Sequence, residues 1–124
     1  MASVAAYQPG APWMAAYYAS KSYVLSFSKG LARELSGSGV SVTALCPGPT
    51  RTSFEATSGA GGTVLYGRLP AMSPSAVARA GYRGLRRRSK VVVPGLLAKI
   101  MAFAGELPPR LVALEVNRLL LKRA

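Results

Sequence analysis

The chain has 124 residues and a single cysteine, Cys46, which fits one small domain and rules out an internal disulfide framework. Half of its residues are apolar, which excludes a disordered chain. Its most apolar stretch, Val91 to Gly105, contains Pro94 and Lys99 and falls short of the roughly 20 residues needed to cross a bilayer. The net charge is +12, with the basic residues crowded into the last third, from Arg79 to Arg123. Such a field attracts a phosphorylated cofactor, anionic lipid or nucleic acid without choosing among them. The first ten residues have no basic segment and no continuous apolar run. No secretory signal is therefore expected, and a reducing cytoplasm is the default location.

Residues 1–15 are small and turn-rich, with Pro9, Gly10 and Pro12. They predict a short strand at Ala2–Val4 and then a loop. From about Ala16, Val24, Phe27, Ser28, Leu31 and Leu35 recur at three- and four-residue spacing, one face of a helix. Leu25 and Ala32 widen that face. Ser36-Gly37-Ser38-Gly39 offers glycine for a left-handed cap and ends the helix. Val40 to Cys46 is β-prone and is stopped by Pro47-Gly48-Pro49. Strand, helix and strand in this order predict a parallel crossover.

Residues 50–72 read as a loop, with Gly59-Ala60-Gly61-Gly62 flexible and Pro70 a breaker. Ser73-Pro74 is an N-cap followed by proline at the first helical position, opening a helix over Pro74–Leu85 that Gly81 and Gly84 weaken. Arg86-Arg87-Arg88 is a charged connection, read as solvated surface. Lys90–Pro94 is a third strand. Helices are predicted over about Gly95–Ala104 and Pro109–Lys122, the last with leucines interleaved with Arg110, Arg118, Lys122 and Arg123. That final helix is read as a packing helix with its charges in water, or as an interfacial helix on an anionic membrane. Cys46 is expected to be a buried core thiol, and Trp13 either a packing residue or a substrate contact.

The strongest chemical signal is Tyr17-Tyr18-Ala19-Ser20-Lys21. Tyrosine and lysine four apart near a helix start project from one face, a turn apart. A free phenol is a poor acid–base group at neutral pH, and a nearby ammonium favours its phenolate. The pair is therefore suited to proton transfer. Ser3 stands fourteen positions before Tyr17, after a predicted strand, and Pro47-Gly48-Pro49-Thr50-Arg51-Thr52 follows one helix and one strand later.

In this order the motifs resemble those of the short-chain dehydrogenase/reductase family: a serine after a strand, Y-x-[A/S]-[S/T]-K on the next helix, and P-G-x-x-x-T after the strand beyond. Tyr23-Val24-Leu25-Ser26-Phe27-Ser28 is also typical of one bacterial subgroup. The serine-to-tyrosine spacing is one residue longer than usual, the extra residue falling in Gly10-Ala11-Pro12-Trp13.

The resemblance implies an α/β fold, the last three strands with helices of a Rossmann-like doubly wound parallel sheet. Residues 1–124 would form one partial NAD(P)-binding domain, the catalytic half. Tyr17 would be the general acid/base, and Lys21 would bind the nicotinamide ribose and assist Tyr17. Ser3 would hold the substrate oxygen. Pro47, Gly48, Thr50 and Thr52, with Tyr17 and Lys21, would contact the cofactor, and Phe54 to Pro70 would be the substrate lid. The cofactor would be NADP or NAD, with NADP the first choice, and the substrate a small carbonyl or alcohol. A full-length form would be a homo-oligomer.

The family's glycine-rich pyrophosphate loop and its N-A-G strand motif are absent, so this half is expected to be truncated and inactive alone. The alternatives are a non-catalytic fragment and a basic membrane-surface module, with peripheral contact through the basic C-terminus. No metal site and no nucleic-acid partner are expected.

Overall fold

The alternation of short β-prone runs with helical periodicity becomes, in the computed structural model, a small parallel sheet flanked by helices. Residues 1–53, 57, 59, 62–106 and 110–122 are described. Strand β1 (Ala44–Leu45) pairs in parallel with β2 (Val91–Val92), Ala44 opposite Val91 and Leu45 opposite Val92. The ladder reaches one bond further, where the Cys46 N–H donates to the Val92 carbonyl at 2.8 Å. The β-prone run from Val40 is thus a strand only at its end.

The predicted strand at Ala2–Val4 is half realised. The Ala2 N–H donates to the Leu45 carbonyl at 2.8 Å and the Val4 N–H to the Pro47 carbonyl at 3.0 Å. Both partners advance together, so this segment runs parallel to β1 on the side away from β2. A parallel ladder returns a bond from the next N–H along the partner, which here falls at positions 47 and 49. Both are proline, which has no N–H. The pairing is therefore one-sided, and from Val4 the chain winds into a 3-10 turn, Val4–Tyr7.

Helix α1 (Ala15–Glu34) starts where the periodicity does and is followed by Gly37 and Gly39, both at φ +85°. Of the predicted face, Val24, Ser28, Leu31 and Leu35 are half-buried, and Phe27 is the exception. Tyr18 and Leu25 are buried, Ser22 donates to the Ala6 carbonyl at 3.0 Å, and Phe27 is 58% exposed, stacked on Tyr23. The residues beneath are small (Ala2, Ala44, Cys46), so a narrow line bearing Leu25 fills the space and Phe27 rotates out.

The segment expected to be a loop contains a five-residue helix, α2 (Val64–Arg68). Its ends are drawn together where Met72 donates to the Pro49 carbonyl and Arg51 to the Met72 carbonyl, each at 3.0 Å. Residues 54–56, 58, 60 and 61 of the expected lid lie outside the described residues.

Helix α3 (Pro74–Arg86) is capped as predicted, with Ser73 Oγ accepting from the Ala76 N–H at 3.3 Å. Gly81 and Gly84 have a packing reason. A Cβ on Gly81 would come 2.7 Å from Leu45 Cδ2, and one on Gly84 would overlap Val92 Cγ2. Their bare backbone lets α3 lie directly on both strands.

Helix α4 (Leu96–Glu106) packs on the 3-10 turn with Gly105 against the Tyr7 carbonyl and Gln8. Helix α5 (Arg110–Leu120) follows. It packs through Asn117, which is buried, and through Leu121 directly after it, while Leu111 is 76% and Leu119 52% exposed. Among the described residues, no helix is long and apolar enough to cross a membrane.

Candidate active site

The carboxyl end of β1, the 3-10 turn and the first turns of α1 enclose a pocket of about 420 Å³. Ser3, Tyr17, Lys21, Pro47, Gly48, Thr50 and Thr52 all line it. Every residue that the sequence nominated as catalytic or cofactor-binding is thus brought to one cavity, from segments up to 49 positions apart (Ser3 to Thr52).

Ser3 is buried in extended backbone, just before the 3-10 turn. Its Oγ accepts the Ala5 N–H at 3.1 Å. That bond fixes the hydroxyl oxygen and leaves its O–H as a donor. Tyr17 is half-buried on the first full turn of α1, edge-on to Tyr18 with ring centres 6.0 Å apart. Both tyrosines line the pocket; Tyr18 is buried in the core with Ala5, Ala11 and Leu121, whereas Tyr17 is half-buried at the edge of that cluster. One turn on, Lys21 Nζ lies 5.6 Å from the centre of the Tyr17 ring and 3.5 Å from the Met1 carbonyl.

The extra residue between serine and tyrosine is absorbed in the loop. Trp13 sits at φ 66° and is 74% exposed, and Gly10 is at φ +135°. A non-glycine residue at positive φ is uncommon and marks a chain forced to take up slack. The bulge points into solvent, which accounts for the long spacing without moving Ser3 or Tyr17 off the pocket. Exposure also removes Trp13 from the substrate contacts considered from sequence.

Thr50 Oγ1 donates to the Gly48 carbonyl at 3.0 Å, holding the turn after β1. Gly48 has a second duty, since a Cβ there would come 3.0 Å from Ala98 Cβ. The glycine therefore admits α4 as well as bordering the cavity.

Sequence reasoning missed Gln8, Met14, Val77 and Met101, which also line the pocket. Gln8 is buried, with Nε2 donating to the Met101 carbonyl at 2.6 Å and Oε1 accepting from Asn117 Nδ2 at 3.1 Å. Asn117 Nδ2 also donates to the Gly10 carbonyl at 3.0 Å. This network ties α4 and α5 to the serine-bearing turn. Nothing in the local sequence marks Gln8. Asn117 carried a faint signal as a lone amide in a leucine-rich helix.

Behind the pocket, Cys46 is fully buried as expected, and burial pushes its thiol pKa up. Tyr7 donates its hydroxyl to Cys46, and its pKa is pushed up to about 12 by burial, with Cys46 and Glu106 adding unfavourable negative charge. Among the described lining residues, Lys21 is the one cationic side chain and no carboxylate is present. The walls are mostly apolar.

Comparison with known proteins agrees with this geometry. Residues 1–61 match the family described as short chain dehydrogenase. Over 57 residues the chain is 37% identical to YghA of Escherichia coli (strain K12), named an uncharacterized oxidoreductase. That stretch covers 46% of this chain and 19% of YghA, so the matched segment spans about a fifth of its relative. No solved structure gives a significant match. The first half of the chain, which carries Ser3, Tyr17, Lys21 and the turn after β1, is therefore similar to the short-chain dehydrogenases. Residues 62–124 lie outside the match.

Proposed function

We propose that this chain is the catalytic half of a short-chain dehydrogenase/reductase, an oxidoreductase that interconverts a small carbonyl compound and its alcohol with NADP or NAD. The observation that carries this reading is the convergence of Ser3, Tyr17 and Lys21 on one apolar pocket at the carboxyl end of a parallel strand. Ligands of open α/β sheets characteristically bind at that end.

The residues present fit one end of the cofactor. A cavity with apolar walls, the hydroxyls of Thr50 and Thr52, and a single ammonium suits a nicotinamide ring and its ribose. Among the described lining residues Lys21 is the one cationic side chain, fewer than a diphosphate calls for. The reading therefore includes a complementary half-site, outside these 124 residues, for the phosphates and adenine. When bound, the nicotinamide supplies or accepts the hydride.

The remaining steps belong to the chain's own side chains. Ser3 donates its O–H to the substrate oxygen while the Ala5 N–H holds the serine in place. Developing negative charge on that oxygen is met by a fixed donor, at no reorganisation cost. Tyr17 gives a proton to the oxygen in reduction and takes one in oxidation. Lys21, a turn away, places positive charge against the Tyr17 ring and toward the ribose. Val4, Met14, Val77 and Met101 exclude water and favour an apolar substrate body. The work is placed in the cytoplasm.

The test is turnover of an aldehyde and ketone panel by the native gene product that contains these residues. Tyr17→Phe is expected to lower turnover by roughly 10²–10⁴-fold, the usual worth of a general acid, with cofactor affinity little changed. Tyr18→Phe, in the core beside it, is expected to stay within a few-fold. Full rate in Tyr17→Phe would make the assignment wrong.

A further inference from the structure

A second concavity, of about 540 Å³, lies between α3, β2 and the start of α4, and shares no lining residue with the active-site pocket. Arg79, Arg83 and Arg87 recur every four residues along one side of it, and Lys99 enters from α4. Among the described lining residues there is no carboxylate. Its floor is closed where Gly84 packs directly on Val92, and Val91, Val93 and Pro94 border it along the strand. Beyond them runs the outer edge of β2, whose other edge is taken by β1.

This cluster is not the one that the sequence advertised. Of the run Arg86-Arg87-Arg88, only Arg87 borders the groove. The helical register, not adjacency in the chain, gathers the charges.

Like charges four apart on a helix repel and destabilise it. The dipole at the C-terminus of α3 offsets part of that cost for Arg83 and Arg87, which lie in or just past the last turn. It does nothing for Arg79 in mid-helix or for Lys99 on another element. Four cations held around a concavity without a carboxylate are a liability in the empty protein and an asset once an anion fills it. Four cations bordering one shallow concavity suit a small, multiply charged anion. Arginine's planar fork suits phosphate oxygens in particular.

We propose that this groove is a binding site for a soluble molecule carrying a diphosphate or similar phosphoanion, separate from the proposed active site and independent of it. The probe is inorganic pyrophosphate, titrated calorimetrically into the full chain at physiological salt. Saturable one-site binding is expected. Arg83→Gln should weaken it by roughly tenfold and the Arg79→Gln/Arg83→Gln pair by roughly a hundredfold, as loss of charge-assisted hydrogen bonds implies. Arg33→Gln removes the same charge from exposed α1, outside the groove, and should leave affinity within about twofold. Circular dichroism of each variant confirms that these surface substitutions leave the fold intact.

Equal weakening by Arg33→Gln and Arg83→Gln would overturn the proposal, because bulk charge would then be the cause. No binding to pyrophosphate, or association only with phosphatidylserine vesicles in the same buffer, would overturn it too. The second result would assign the basic surface to a membrane.

Discussion

Residues 1–53 and residues 62–122 are held in the fold by different means. The first region buries small side chains tightly: Ala2, Ala44 and Cys46 are 3% exposed or less, with Leu25 over them. The second presents large apolar side chains to solvent, with Leu96 at 74%, Phe103 at 66% and Leu111 at 76% exposed. It buries Val77, Ala98, Ala102 and Leu121, and is drawn close where a side chain is missing (Gly81, Gly84, Gly105) or an amide is buried (Asn117). The contrast teaches a division of labour. The proposed catalytic side chains all belong to the first region, and the helices after it supply one wall of their pocket through Val77 and Met101.

Substitutions can break that division. The largest effect expected is the loss of turnover in Tyr17→Phe, confined to the first region and leaving stability nearly unchanged. Next, Gly84→Ala drives a Cβ into Val92 and should lower stability by about 1–3 kcal/mol, the usual cost of overpacking, as read by denaturant midpoint. If it abolished turnover at an unchanged midpoint, the two regions would not be separable in this way. Asn117→Ala should cost about 1–2 kcal/mol, because it strips a donor from Gln8 and the Gly10 carbonyl in a buried site. It should also raise KM more than it lowers kcat, since Gln8 borders the pocket without touching the reacting atoms in this scheme.

The smallest effect concerns pH. Tyr7 is held as a neutral phenol, with its pKa raised from 10.0 to about 12. The folded state therefore keeps a proton that the unfolded state loses first. Its contribution to stability is complete below pH 10 and is lost as pH rises toward 12. A spectrophotometric phenolate titration should show a late step that Tyr7→Phe removes.

Much of the site was legible because its chemistry needs particular residue types at fixed spacing. Tyr17 and Lys21 share a helix face by arithmetic alone, and Pro47-Gly48 announces the end of a strand. The strands were legible as runs of valine but not in extent, because Pro47 and Pro49 remove the bonds that would complete the first one. Phe27 was misplaced because periodicity identifies an apolar face without saying what it will meet. Gln8 was invisible and Asn117 only faintly marked for a similar reason: their roles arise from contact across more than a hundred residues of chain (109 positions). The α3 arginines were visible as composition, and only the helix shows which of them converge.

The proposed function requires that residues 1–53, with Val77 and Met101 on one wall, form a pocket for the nicotinamide end of a cofactor beside Tyr17. It is tested most directly by a nuclear magnetic resonance titration of the 124-residue chain with reduced nicotinamide mononucleotide. Weak binding is predicted, with shifts gathered at Ser3, Tyr17, Lys21 and Thr52, lost in Lys21→Ala, and gaining little when the whole dinucleotide replaces the mononucleotide. Absence of shifts at these residues would contradict the claim. Much tighter binding of the whole dinucleotide would contradict the assignment of its phosphates to a half-site outside this chain.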